Sequence, residues 1–295
     1  MVTVALIVVN LAFFLVTAVQ SRSAIDLSGS DLYLRGGLIP AEVASGEYWR
    51  LVTSGFLHGN LIHLGTNMLS LYWLGIPLER ILGRWRMLAI YLLSLFGSSV
   101  GVLLFSAPVS LTIGASGAVY GLMGALLVTF RRLRLDLRPL IVILALNVVI
   151  TFTYPGLSWQ GHLGGFVVGA IVGAAMVFPP RHSRRAWQWG VSIGLVVVLV
   201  ALTVIRGDQL GSWQCLYQLA GQVSCAPVRR RVNLTVPSTG RRTSATALWT
   251  RRWGRCPVRC GRTAATRRPR GRSPGLPSRA AGSGRRPPGG PSTTE

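Results

Sequence analysis

The chain has 295 residues, of which 50% are hydrophobic and only 13% charged, with a formal net charge of +23. Its apolar residues fall in blocks close to the roughly 20 residues a helix needs to cross a bilayer core, which argues against a single soluble fold. The positive charge does not point to nucleic acid either, because 13 arginines oppose six acids up to Ile205 whereas 18 oppose two from Arg206 onward.

The composition therefore predicts an all-α, polytopic membrane helix bundle over residues 1–205, with the lipid bilayer as a partner and no specific nucleic acid expected. Residues 206–295 read as an Arg/Pro/Gly-rich tail that is expected to be disordered. From about Arg229 that tail has too few apolar residues to build a core, and disorder is expected there. It reads as a solvated extension or a frame-shifted translation product. The chain contains no lysine, which suits a GC-rich coding sequence better than selected chemistry. Cys215, Cys225, Cys256 and Cys260 all lie in the tail, so the body carries neither a disulfide nor a cysteine metal site, and spacing leaves their pairing open.

The first apolar segment, Val2 to Val19, lacks the basic n-region and the small-residue cleavage site of a signal peptide and reads as transmembrane helix 1. It starts without a flanking loop, which leaves room for a start further upstream. A long polar connection, Gln20 to Asn60, holds four of the eight acids. Within it Tyr48, Trp49 and Arg50 suit the membrane interface.

Helix 2 is expected over 61–78, followed by a basic turn, Glu79 to Arg86. Helix 3 spans 87–105 and helix 4 spans 115–130, with a basic loop after it. Helices 5, 6 and 7 are expected over 139–152, 161–178 and 187–205, with a third arginine-rich loop at Arg181 to Arg185. The three basic loops fall on one side, which the positive-inside rule makes cytoplasmic. The long first loop and the start of helix 4 then face outside. Bacterial plasma membrane is the expected location.

Helix 4 opens with the small-residue run IGASGAVYGLMG. Ser116 and Tyr120 are four apart and share a face, as do Gly117 and Gly121 beside them. A lone serine in a membrane helix is by default packing glue, bonded to its own backbone. Helix 6 changes that balance. Gly161, Gly165, Gly169 and Gly173 form a smooth stripe against which Gly117 and Gly121 can pack, and His162 follows the first of them.

If the stripes meet, Ser116 and His162 lie at the same end. An intramembrane histidine is costly unless paired, and beside serine it supplies the base a hydroxyl needs to attack a carbonyl; the alternative is a histidine hydrogen-bonded within the bundle. All acids lie outside the predicted apolar segments, so a Ser-His pair is what the residues permit. His63 and Asn67, four apart at the start of helix 2, offer donors for a developing oxyanion. Asn67 could equally bond between helices, and His58 could be an interfacial residue. A zinc site of His58, His63 and His162 is disfavoured, because it would leave the glycine-flanked serine without a role.

Together Trp49-Arg50, His58 with His63 and Asn67, GASG at Gly114 to Gly117, Tyr120, and Gly161-His162 with its following glycines resemble the rhomboid intramembrane serine proteases. The resemblance spans about Val2 to Phe178. It implies a six-helix core plus a seventh C-terminal transmembrane helix, and a serine endopeptidase that uses no cofactor or metal and acts on transmembrane protein substrates. Ser116 would be the nucleophile, His162 the base, and Tyr120 the residue stacking on the imidazole. His63, Asn67 and the Ser116 backbone N–H would stabilise the oxyanion, Gly114 would shape the pocket, and helix 5 would resemble a lateral gate capped near Trp159. Gly161 stands where the family often has alanine. A catalytically silent rhomboid-like protein that binds transmembrane helices is the alternative. A transporter is disfavoured by the lack of broken helices and internal repeats.

Overall fold

The computed structural model describes residues 1–154, 156–179, 182–217 and 223–228. Met1–Val232 forms one compact unit. Its long helices are α1 (Val2–Ser21), α5 (Leu61–Leu82), α6 (Arg84–Phe105), α7 (Ser116–Leu133), α8 (Arg138–Thr153), α9 (Trp159–Val177) and α10 (Arg184–Leu210), and the short α2 (Asp31–Gly36), α3 (Pro40–Ala44) and α4 (Arg50–Thr53) lie in the first loop. Among the described residues, α1, α6, α9 and α10 are long and apolar enough to cross a membrane, and α8 is a shorter apolar helix. The remaining two, α5 and α7, carry the polar residues His63, Asn67, Ser116 and Tyr120.

Glycine seams build the centre. A methyl group at Gly165 would fall on the carbonyl oxygen of Gly117, one at Gly169 on that of Gly121, and one at Gly173 would lie 2.7 Å from the Ala125 Cα. On the other side of α9, a methyl at Gly164 would lie 2.5 Å from the Gly97 carbonyl oxygen, and one at Gly101 would lie 2.6 Å from that of Gln160. Only glycine lets backbones approach this closely, so α9 is held between α6 and α7 by contact that depends on shape. Gly161 differs from the rest of its stripe and faces Ser98 and Val102 of α6.

Three features depart from the sequence reading. First, Glu79 belongs to α5 rather than to a turn and is 8% exposed. Its carboxylate accepts the Val2 N–H (2.8 Å), the Thr3 N–H (2.9 Å) and the Thr3 hydroxyl (2.6 Å). The two N–H groups are orphan donors at the start of α1, and a carboxylate suits the positive end of a helix.

Second, Arg50 is not interfacial but 1% exposed. It bonds Glu47 (2.6 Å) and the carbonyls of Leu34 (2.8 Å) and Gly37 (2.6 Å), which pins the first loop into a folded unit. Its neighbours Tyr48 and Trp49 are exposed.

Third, the segment after Ile205 is ordered further than composition suggests. Helix α10 runs to Leu210, and strands β1 (Trp213–Tyr217) and β2 (Val223–Pro227) pair antiparallel, with Cys215 opposite Cys225. Cys225 is disulfide-bonded. Ser45 on the first loop both accepts the Trp213 N–H (2.9 Å) and donates to the Trp213 carbonyl (3.0 Å), which ties the hairpin to that loop. Cys256, Cys260 and the remainder of the expected tail lie outside the described residues.

Candidate active site

Ser116 is the first residue of α7. The approach to it is fixed by Gly114, whose φ of +117° is a conformation that side chains rarely adopt. A methyl group there would also lie 2.7 Å from His63 Nε2. The Gly114 N–H donates to the Ser54 carbonyl (2.9 Å), and Leu38 and Thr112 exchange two 2.9 Å backbone bonds, so the first loop anchors the strand leading to the serine. The first intrahelical bond of α7 comes from the Val119 N–H to the Ala115 carbonyl. The earlier N–H groups, including that of Ser116, are the unpaired positive end of the helix.

His162 sits one turn into α9 and is 7% exposed. Its Nε2 lies 2.9 Å from Ser116 Oγ. The Tyr120 ring stacks on the imidazole at 4.1 Å between centroids and 8° between planes. On the far side, Nδ1 lies 2.9 Å from the Thr151 hydroxyl of α8. Thr151 also contacts the Tyr120 hydroxyl (2.6 Å) and the Asn147 carbonyl (2.7 Å).

These contacts assign the protons. A threonine hydroxyl has one donor and two acceptor lone pairs. The Asn147 carbonyl can only accept, so it takes the Thr151 proton. Tyr120 O–H and His162 Nδ1–H then both donate to Thr151, which leaves Nε2 bare to accept the Ser116 hydroxyl. Tyr120 and Thr151 thus hold the face and the Nδ1 side of the ring, and this hydrogen-bond pattern matches the tautomer with Nε2 unprotonated. Sequence reading missed Thr151. A threonine four residues after Asn147 on an apolar helix looks like ordinary backbone-bonded packing, and no spacing ties it to His162.

The expected oxyanion groups are placed unequally. His63 lines the cavity beside Ser116. Its Nδ1 accepts the Gly59 N–H over a long 3.4 Å, which leaves the proton on Nε2, next to Gly114. Asn67 is buried one turn on, donates 2.8 Å to the His63 carbonyl, and does not line the cavity. His58, fully buried, stacks edge-on against His63 at 5.1 Å. Burial, with His63 alongside, pushes the His58 imidazole down to about 3, so it stays neutral.

The cavity over Ser116 has a volume of about 530 Å³ and is flanked by Ile62, His63 and Thr66 of α5 and by Ile150 and Tyr154 at the end of α8. Helix α8 packs thinly: of its 16 residues only Leu140 and Thr151 are buried. A second, apolar cavity of about 370 Å³, lined by Tyr120, Leu144, Thr151 and Phe166 among others, lies between α8 and α9.

Comparison with known proteins places the chain in a family. Residues 45–179 match the model of the Rhomboid domain. The chain is 31% identical to RHOMBOID-like protein 4 of Arabidopsis thaliana over 258 residues, 75% of this chain and 64% of that one. It is 36% identical to Rhomboid protease GluP of Bacillus subtilis (strain 168) over 167 residues, 55% and 32% of the two chains. It is 30% identical to Rhomboid protease AarA of Providencia stuartii over 217 residues, 62% and 75% of the two chains. The chain thus spans less than two thirds of the length of the first two. With its apolar helices this makes it an integral, multi-pass membrane protein. The relatives are mostly from a plant, and they lend no support to a bacterial plasma membrane in particular. By sequence, the chain belongs to the rhomboid family.

Proposed function

We propose that this protein is an intramembrane serine endopeptidase, and the observation that carries the reading is the 2.9 Å contact of Ser116 Oγ with His162 Nε2. The substrate is a transmembrane segment of another membrane protein. It reaches the cavity between α5 and the thinly packed α8, in a bundle of seven spans whose site faces outside. Support for that orientation is the clustering of Arg80, Arg84, Arg86, Arg131, Arg132 and Arg134 at the opposite ends of α5, α6 and α7.

In the reaction, Ser116 Oγ attacks the scissile carbonyl carbon while its proton passes to His162 Nε2. The imidazolium so formed keeps its Nδ1–H on Thr151 and its face on Tyr120. Negative charge grows on the carbonyl oxygen next to the Ser116 N–H at the start of α7 and the Nε2–H of His63. Each well-aimed donor of this kind is worth roughly 10²- to 10³-fold in rate. His162 then gives its proton to the leaving nitrogen as the C–N bond breaks, and an acyl group remains on Ser116 Oγ. Water, deprotonated by the same Nε2, attacks the ester and restores the serine. Asn67 supports the oxyanion through His63, whose backbone it holds.

The test is cleavage of a model transmembrane substrate by the purified full chain in lipid, comparing wild type with Ser116→Ala and His162→Ala, together with labelling of Ser116 by a fluorophosphonate. Cleavage and labelling by wild type alone are expected. Equal cleavage by wild type and Ser116→Ala sinks the assignment, and binding of the substrate helix with neither cleavage nor labelling establishes the catalytically silent alternative.

A further inference from the structure

At the arginine-rich end of the bundle, α6 and α10 part to leave a groove of about 910 Å³ that shares no lining residue with the Ser116 cavity. The first turns of the two helices contribute Arg84, Arg86 and Arg185, with Trp85 and Trp189 beside them. Later turns contribute an apolar wall that includes Leu93, Ile193 and Val197. From Arg185 to Val197 the groove runs about 18 Å along α10, close to the roughly 15 Å of one leaflet's hydrocarbon.

The charged end is built rather than incidental. Arg86 is held by two bonds, its Nε to Gln188 Oε1 (3.2 Å) and its Nη1 to the Leu82 carbonyl (3.0 Å). Gln188 is itself 8% exposed and donates to the Met176 carbonyl (3.2 Å). A buried glutamine in a membrane helix is costly unless bonded, and here it fixes a guanidinium at the groove. Among the described residues the ion pairs are Arg35 with Asp31 and Arg50 with Glu47, so no carboxylate answers the three arginines.

We propose that this groove is a binding site for one anionic phospholipid. The phosphate engages Arg84, Arg86 and Arg185, an acyl chain lies along Leu93, Ile193 and Val197, and Trp85 and Trp189 sit at the headgroup level where tryptophan is favoured. The combination selects a lipid over other anions. A free phosphate leaves the apolar wall uncovered, and a zwitterionic lipid brings a cation next to three guanidinium groups. A basic pocket between helices at the cytoplasmic side is the arrangement that recognises anionic headgroups.

The experiment uses the full chain, delipidated in neutral detergent, with dioleoyl-phosphatidylglycerol and dioleoyl-phosphatidylcholine titrated separately and bound lipid counted by native mass spectrometry. One tightly held phosphatidylglycerol per chain is expected, with phosphatidylcholine bound more weakly. The double variant Arg86→Gln/Arg185→Gln should weaken phosphatidylglycerol about 25-fold, from about fivefold per guanidinium. Ile193→Trp, which fills the groove without touching a charge, should weaken it as well and keeps the test open if the double variant misfolds. Arg131→Gln/Arg132→Gln, at the same end but off the groove, should leave it unchanged. Equal binding of the two lipids overturns the proposal, as does a loss caused equally by the off-groove variant. Displacement by inorganic phosphate at the lipid's own concentration overturns it too.

Discussion

Thr151 and His162 come from different helices, α8 and α9, and meet with 2.9 Å between the threonine hydroxyl and Nδ1 of the imidazole. Because the same hydroxyl gives its proton to the Asn147 carbonyl, this contact sets which ring nitrogen is free for Ser116. It also ties the proposed base to a helix that packs thinly on the bundle.

Thr151→Val removes the acceptor and keeps the shape. We expect kcat to fall about 10- to 100-fold, the scale of a misoriented catalytic group, with little change in KM. Thr151→Ser should restore most of the loss. Steady-state cleavage of a transmembrane substrate measures both. A valine variant as active as wild type would remove Thr151 from the mechanism.

Close backbone contact between α7 and α9 should tolerate no side chain at Gly165 or Gly169, where a methyl group falls on a backbone carbonyl. Alanine at either should cost about 1 to 3 kcal/mol, as overpacking does, and should separate Ser116 from His162. Gly161→Ala meets the Ser98 hydroxyl at 3.0 Å, a Val102 methyl at 3.1 Å and the Ser158 hydroxyl at 3.4 Å, all of them side-chain atoms rather than backbone. It should leave stability within about 0.5 kcal/mol, the range for a substitution without such a clash. Thermal unfolding of the three variants, with activity alongside, tests the contrast.

His58 makes acid destabilising. Its folded-state pKa, about 3, is lower than the usual value near 6.5, so between these values the unfolded chain binds a proton that the folded chain refuses. The stability is fully present above pH 6.5 and is lost progressively as pH falls toward 3. The melting temperature of wild type should therefore drop more steeply between pH 7 and pH 5 than that of His58→Phe. Parallel curves would mean that His58 is not the group responsible.

Glu79 and the start of α1 should be energetically coupled. Glu79→Gln weakens three hydrogen bonds to Val2 and Thr3 and should destabilise by about 1.5 to 3 kcal/mol, the range for hydrogen bonds to charged groups. Thr3→Val removes one of the three. A double-mutant cycle should give a coupling energy of at least about 0.5 kcal/mol, read from unfolding in detergent, with the cleavage rate per folded molecule unchanged.

Apolar blocks and their arginine-rich ends anticipated the long helices among the described residues, and for α1, α6, α9 and α10 the reason is that bilayer thickness fixes how long an apolar spanning helix must be. Glycines at every fourth position on α9 likewise announced a close-packed face, since helical periodicity puts them in one line, and that line brought Ser116 and His162 under suspicion together. Periodicity says which residues share a face but not what stands opposite them. So it could not show that Gly161 turns to α6 or that Asn67 bonds the His63 carbonyl. Nor could it show that Arg50 is buried under the first loop, or that Glu79 closes the start of α1. Thr151 is the clearest case. Its role comes from three hydrogen bonds, two of which reach residues 31 and 11 positions away, and such distances are set by how helices pack, not by any pattern along one of them.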